Sequence, residues 1–292
     1  MKFKNAISSL ILILFSLIFY AQNDPGWLWA KRGGSSAEIT GSQFRDYGME
    51  RIVDVAVDSE NNFYYLAEVG GYTFTLGNIE FETYNDQANY SDLFIFSTDD
   101  EGDFRWNKII GGGDRDRATS LGVDNQDNVY VSGNTFNWPS TTGVPTPVHF
   151  DTDSIMPEAT LSPSEANKRI FIIKYDKEGN FQWLQQPEGN ETPLGGGGGM
   201  VKMVVNPDGR THSLIWLIQG SYFNGQLEVE EDNLQSVIVK YNSQGDFEDF
   251  ILLDMKPLND YYKYQMIYDP DLDRYYIADT YRDNPDPNDP LS

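Results

Sequence analysis

Carboxylates are the most plentiful reactive groups in this chain. Asp and Glu number 45 against 21 Lys and Arg, a formal charge of −24, while histidine occurs twice and cysteine not at all. The absence of cysteine excludes disulfides, thiolate nucleophiles, thiolate metal sites and a lipid-modified N-terminal Cys. So strong a polyanion is repelled by phosphate backbones, which argues against a nucleic-acid partner. A pair of carboxylates about 5–10 Å apart could hydrolyse a glycosidic bond. Most of the acids, however, stand in hairpin turns: Asp58, Asp99, Asp100, Glu101, Asp124, Asp127, Asp176 and Glu178. Turn Asp and Asn bond nearby backbone amides, which accounts for them without catalysis. Asp54 and Asp114 lie outside the turns, on or near an inner strand and the link that follows a unit, but nothing in their spacing brings them together.

The other reactive residues give weaker signals. Asp269-Pro270-Asp271-Leu272-Asp273 alternates oxygen ligands as calcium loops do, yet lacks the central glycine and distal Glu of an EF-hand. It is expected to be an ordinary turn, as is Asp124-Asn125-Gln126-Asp127-Asn128. His149 and His212 have no Gly-x-Ser-x-Gly neighbour and are expected to pack or hydrogen-bond. Gly195 to Gly199 is followed by no Lys-Ser/Thr and no helix signal, so it is a flexible link and not a phosphate loop. The expectation is no catalytic residue, no metal site and no cofactor.

The elements that position these groups begin with an export signal. Lys2 and Lys4 precede an apolar stretch from Ile7 to Phe19 that ends at Phe19-Tyr20-Ala21. A basic start, a short apolar core and a small residue at the cut form a secretory signal peptide over 1–21. With no later apolar span, the mature chain is expected to be secreted or held at the cell surface, with no transmembrane segment.

The rest is a repeat. Ile52-Val53-Asp54-Val55-Ala56-Val57-Asp58, a polar turn and Phe63-Tyr64-Tyr65-Leu66-Ala67 recur as Leu121–Asp124 with Asn128–Gly133. Further copies are Met203–Gly209 with Thr211–Ile218, and Met266–Asp269 with Arg274–Ala278. A second half-motif follows the first three: Leu93–Phe96 with Asp99–Trp106, Ile170–Tyr175 with Asp176–Trp183, and Val237–Tyr241 with Asn242–Phe247. Each half is two β-rich runs around a short turn, a hairpin signature, and the turn glycines Gly102, Gly179 and Gly245 supply positive φ. Two hairpins make a four-stranded antiparallel sheet, and such units must stack to bury their faces. Trp29, Trp106 and Trp183 share one repeat position and are expected to be largely buried, each indole N–H with a partner.

The run of Val-Asp, Asn128-Val129-Tyr130-Val131-Ser132-Gly133, Phe171-Ile172-Ile173-Lys174-Tyr175-Asp176 and Glu178-Gly179-Asn180-Phe181-Gln182-Trp183 resembles the bacterial seven-bladed β-propeller repeat family. That family is common among secreted surface proteins, including type IX secretion cargo. The resemblance covers about residues 44–280 and is closest in the second unit, while the third has Asp249 where Trp stood. It implies an all-β propeller of four-stranded antiparallel blades. The expected divisions are a displaced outer strand and linker at 22–43, blades at 44–113, 114–194 and 195–256, and a partial blade at 257–292. Three full repeats plus fragments lead to the expectation of an N-terminal portion of a longer polypeptide, with a complete four-bladed ring as the alternative.

In such blades the link between hairpins and the link between blades share a face. The insertions at 71–91 and 134–168 carry Tyr72, Tyr84, Tyr90, Phe136 and Trp138, flat apolar surfaces suited to sugars or peptides. These five are the candidate binding residues, with a glycan or another surface protein as partner. The expected function is a non-catalytic scaffold or binding module at the bacterial surface. The alternatives are a carbohydrate-active hydrolase using loop carboxylates and a structural segment of a large adhesin.

Overall fold

A computed structural model describes residues 30, 32–35, 50–84, 90–112, 116–136, 148–150, 168–186, 189–191, 198–230, 234–255 and 264–278. The chain divides into two units, Met1–Lys31 and Arg32–Ser292, and every strand below belongs to the second. No helix occurs among the described residues, and so none there is long and apolar enough to cross a membrane.

The strands run in chain order as follows. After β1 (Gly33–Ser35) come β2 (Arg51–Val57), β3 (Phe63–Gly70), β4 (Thr73–Leu76), β5 (Ile79–Glu82), β6 (Ser91–Thr98) and β7 (Phe104–Ile110). Next are β8 (Arg117–Val123), β9 (Val129–Phe136), β10 (Lys168–Tyr175), β11 (Phe181–Gln185) and β12 (Gly189–Glu191). The last are β13 (Gly199–Val205), β14 (Thr211–Leu217), β15 (Gly220–Tyr222), β16 (Leu227–Val229), β17 (Gln235–Tyr241), β18 (Phe247–Leu253), β19 (Gln265–Asp269) and β20 (Arg274–Ala278). Three four-stranded antiparallel sheets result, with orders β2-β3-β6-β7, β8-β9-β10-β11 and β13-β14-β17-β18, followed by the two-stranded β19-β20. All-β architecture and four-stranded antiparallel units are therefore as the repeat predicts.

The first strand of each four-stranded sheet carries the same bulge. The register slips between Ile52 and Asp54, Ala118 and Ser120, and Met200 and Lys202, leaving Val53, Thr119 and Val201 as the extra residues. Fourth strands slip in the same way opposite Ser97/Thr98, Lys174/Tyr175 and Lys240/Tyr241. Bulges increase local twist, so three sheets built alike also twist alike and nest.

Packing between sheets follows the period of two. On β10, Phe171 and Ile173 join Tyr64, Leu66, Leu93 and Ile95 in one cluster, while Ile170 and Ile172 join Met203, Ile215, Val237 and Val239 in another. The middle sheet is thus buried on both faces, which explains its continuous apolar run. The first strands β2, β8, β13 and β19 are neighbours in succession. On β2, Ile52 and Val55 are 54% and 47% exposed, whereas their repeat counterparts Ala118 and Leu121 are 1% and 8% exposed beneath the sheet that precedes them.

The insertions are more ordered than the sequence suggests. Between β3 and β6 the chain forms the β4-β5 hairpin, and between β14 and β17 the β15-β16 hairpin. A short glycine-bearing segment from the preceding link then adds a strand: β1 on β4 and β12 on β15. In the second sheet the same contact is a single bridge from Gly111 to His149.

Candidate functional site

The turn carboxylates are occupied by the backbone. Asp99, Asp176 and Asn242 each accept two amides through Oδ1, from residues two and four positions on. Gly102, Gly179 and Gly245 follow at φ of 81°, 82° and 88°. In the first turns, Asp58 accepts from the Glu60 and Asn62 amides, the Asn62 side chain and the Tyr64 hydroxyl. Asp124 repeats this with Gln126, Asn128 and Tyr130. Burial pushes the Asp58 carboxyl up, but these hydrogen bonds outweigh it and hold the group below its ordinary value. Asp269 accepts from the Asp271 and Leu272 amides, so it too forms a turn. No cluster of three potential metal ligands occurs among the described residues.

Other polar groups tie one sheet to the next. Trp106 Nε1 donates to the Lys177 carbonyl at 2.9 Å, and Trp183 Nε1 to the Ser243 carbonyl at 3.1 Å. Each indole lies over the turn glycine of the following sheet: a Cβ on Gly179 or Gly245 would come within 2.8 Å of the ring. Trp106 and Trp183 are covered over most of their surface, pack against the core clusters and have partnered indole N–H groups, as their shared repeat position predicts. Trp29 lies outside the described residues.

Nearer the inner edge, Asp54 Oδ2 accepts the Leu121 amide at 3.1 Å, and at the same repeat position Ser120 Oγ accepts the Met203 amide at 2.9 Å. Glu68 Oε1 accepts the Ala118 amide at 3.0 Å, and its counterpart Asn134 exchanges two hydrogen bonds with the Met200 backbone. Glu68, 2% exposed, also pairs with Arg51 at 2.9 Å and Arg117 at 3.4 Å. Asp127 bonds both the amide and the hydroxyl of Ser59. Asp54 is thus a structural cap, and Asp114 lies outside the described residues.

The five aromatic candidates do not form one cluster among the described residues. Tyr72 is 55% exposed at the start of the β4-β5 hairpin. Tyr84, at the other end of that hairpin, stacks on His149 with ring centroids 4.0 Å apart and also packs against the Phe74–Phe94–Phe96 cluster. It is a packing residue first, joining the insertions of the first and second sheets. Tyr90 is half-buried beside β6. Phe136 ends β9, its side chain outside the described residues, where Trp138 also lies. Gly199, read as part of a flexible link, opens β13.

Two buried carboxylates, Asp92 and Asp116, escaped the sequence reading, whereas His212 packs and hydrogen-bonds as expected. Asp92 and Asp116 are wholly buried on either side of Gly111, where a Cβ would meet the Asp92 and Asp116 carboxylates. Asp92 Oδ2 accepts the Tyr84 amide at 2.5 Å, Oδ1 has no hydrogen-bond partner among the described residues, and burial pushes the carboxyl well above its usual range. His212, 4% exposed, contacts Tyr275 Oη through Nδ1 at 2.9 Å and Asn206 through Nε2 at 3.2 Å. Burial, with help from Lys240, depresses it to about 4, so it is neutral at physiological pH.

A cavity of about 180 Å3 opens where the four first strands meet, bordered by Arg51, Thr119, Lys202, Tyr264 and Gln265 among others. At its border, Lys202 Nζ reaches Asp54 Oδ2 at 3.2 Å, joining the third sheet to the first. Sequence pattern marked neither the cavity nor this pair; Lys202 is visible only as a lysine at a position held by Asp54 and Ser120 in its sister repeats. No protein-family model and no curated protein matches the chain.

Proposed function

We propose that the chain is a β-propeller segment, exported and acting outside the cell or at its surface as a non-catalytic scaffold or binding module. The partner class is a glycan or another surface protein, met on the face that carries the insertions. The observation that carries this reading is where the carboxylates go. Asp54, Asp58, Asp99, Asp124, Asp127 and Asp176 all hold turns or join sheets, which leaves the repeat's recurrent acids committed to architecture.

The propeller geometry rests on the Lys202–Asp54 pair. Stacked sheets lie about 10 Å apart, so in a flat stack the first and third would be separated by roughly twice that, beyond the reach of one lysine. An ion pair at 3.2 Å supports first strands that converge on a common centre, as blades do. The resemblance to the bacterial seven-bladed repeat family points the same way, and the Lys2, Lys4 and Ile7–Phe19 pattern supports export.

The test is a glycan array run beside a reducing-end assay on the same purified protein. Retention of a glycan without release of reducing ends, weakened by Tyr72→Ala, is the expected result. Release of reducing ends would overturn the reading in favour of a hydrolase. Retention of nothing would reduce the chain to a structural segment.

A further inference from the structure

We propose that the outer edge of the β4-β5 hairpin captures an extended, lysine- or arginine-bearing segment of another polypeptide as an added strand. This partner rests on the reading of the insertion face as a binding surface, and commits that surface to a protein.

The sheet runs β1-β4-β5, and among the described residues β5 pairs with β4 alone. Just past β5, Thr83 donates its amide to the Tyr72 carbonyl at 2.9 Å, on the side of β4. Main-chain groups of successive residues point to opposite sides of a strand. Ile79 and Phe81 therefore bond β4, while the N–H and C=O groups of Glu80 and Glu82 point outwards. Natural edges are commonly closed by a proline, a bulge or a lysine. β5 has none of these, and its four pairs with β4 run in unbroken register through Ile79-Glu80-Phe81-Glu82.

The hairpin already holds an extended segment on its other edge. Gly33–Ser35 adds to β4 as β1, and in the third sheet Gly189–Glu191 adds to β15 as β12. Gly33-Gly34-Ser35 offers almost no side chain, so the main chain alone secures it. Strand addition of this kind takes its affinity from the backbone and its specificity from alternate side chains.

Charge selects the occupant of the outer edge. Phe81 packs on Phe74 and Phe94, whereas Glu80 and Glu82 stand exposed on the opposite face, across from Thr75 and Thr73. A strand laid along β5 sets its own alternate side chains beside those carboxylates, where Lys or Arg is favoured and Asp or Glu opposed. Apolar residues between the cations fall beside Ile79, which is 42% exposed. A second copy is disfavoured, since pairing edge to edge would set Glu80 and Glu82 against their like in a chain of charge −24.

The pattern recurs. Gly225-Gln226-Leu227-Glu228-Val229-Glu230 repeats Gly77-Asn78-Ile79-Glu80-Phe81-Glu82 position by position, and β16 again lies at the sheet edge. Leu227 and Val229 are buried and both glutamates exposed. Ser221 Oγ already donates to Glu228 Oε1, which makes β5 the stronger of the two edges.

The experiment is fluorescence polarisation of the full chain, at fixed ionic strength, with a labelled and end-capped peptide of alternating Lys and Val. Saturable binding is expected, with hydrogen exchange slowed at the Glu80 and Glu82 amides. Glu80→Pro removes an outward N–H that the hairpin does not use, and should weaken binding by about tenfold or more. If Glu80→Pro does not fold, the double change Glu80→Lys and Glu82→Lys turns two attractive cross-strand pairs repulsive and should lose about as much, roughly tenfold. Glu101→Gln, at an exposed turn elsewhere, should leave binding unchanged. Equal binding of spermine, or of the same peptide methylated on alternate backbone amides, would overturn the proposal in favour of general attraction to a polyanion. Glycans retained on the array without any peptide binding would overturn the captured strand and leave the insertion face a binding surface. Retention of neither would overturn both.

Discussion

Replacing Gly179 by alanine tests the contact that couples one sheet to the next. Gly179 has φ +82°, a conformation that costs an L-residue about 1–2 kcal/mol. Its new Cβ would also lie 2.8 Å from Cδ2 of Trp106, where ordinary contact begins near 3.4 Å. The indole has little freedom to retreat, since Nε1 is bound to the Lys177 carbonyl at 2.9 Å. Overpacking of this kind adds about 1–3 kcal/mol, so the total is about 3 kcal/mol. Gly77 supplies the control: its φ is +61°, but nothing lies within 4 Å of a Cβ there, so Gly77→Ala should cost only about 1 kcal/mol of backbone strain. In a Trp106→Ala background the clash disappears, and Gly179→Ala should fall to the same cost as Gly77→Ala. The double-mutant cycle, measured by urea unfolding at constant m, should therefore give a coupling of about 2 kcal/mol. A Gly179→Ala cost no larger than that of Gly77→Ala, or one unchanged by removal of Trp106, would refute the reasoning.

Three further outcomes follow from the buried polar groups. His212 is depressed to about 4 from an ordinary 6.5, so the unfolded chain takes its proton first as pH falls. The contribution is full above pH 6.5 and lost progressively towards pH 4, by about 3 kcal/mol; His212→Gln should flatten the pH 4.5–6.5 limb of a stability profile. Asp92 has the opposite sign: burial raises an acid, so stability falls as pH rises from the ordinary carboxylate range towards its folded value. Asp92→Asn should leave the protein as stable at pH 8 or more so, by roughly 1–3 kcal/mol in thermal or urea melts, because a buried orphan acceptor is removed. Asp124→Ala removes a wholly buried carboxylate that accepts five hydrogen bonds and should cost about 3 kcal/mol or more in urea unfolding. Asp99→Ala, at an exposed turn, should cost about 1 kcal/mol in the same assay.

The parts of the fold legible in the sequence obey local rules. A turn glycine must take positive φ wherever it stands, so Gly102, Gly179 and Gly245 announce the second hairpin of each unit, and β-rich runs on either side complete it. The third strands read as apolar runs because sheets cover both their faces. Three-residue strands such as β1 and β12 carry no such signal: Gly33-Gly34-Ser35 has almost no β propensity and is ordered by the hairpin it meets. Bulge positions were also hidden, since they depend on pairing register, and with them the roles of Asp54, Ser120 and Lys202. Tyr84 illustrates the limit for the site. Its type and loop position suggested an exposed contact, and only the placement of His149, brought up by the Gly111 bridge, makes it a packing residue. Asp92 and Asp116 meet only because the start of β6 and the residue before β8 both pack against Gly111, which no spacing encodes.

The convergence of first strands on one centre is tested most directly by zero-length carbodiimide coupling followed by peptide mass spectrometry, a reaction that joins an amine to a carboxylate already in contact. Lys177 and Glu60, 2.7 Å apart and exposed between neighbouring sheets, serve as the positive control. The account predicts a second intramolecular cross-link, between Lys202 and Asp54, in the monomer fraction. Recovery of the Lys177–Glu60 link without the Lys202–Asp54 link would contradict a radial arrangement and leave a flat stack of sheets in its place.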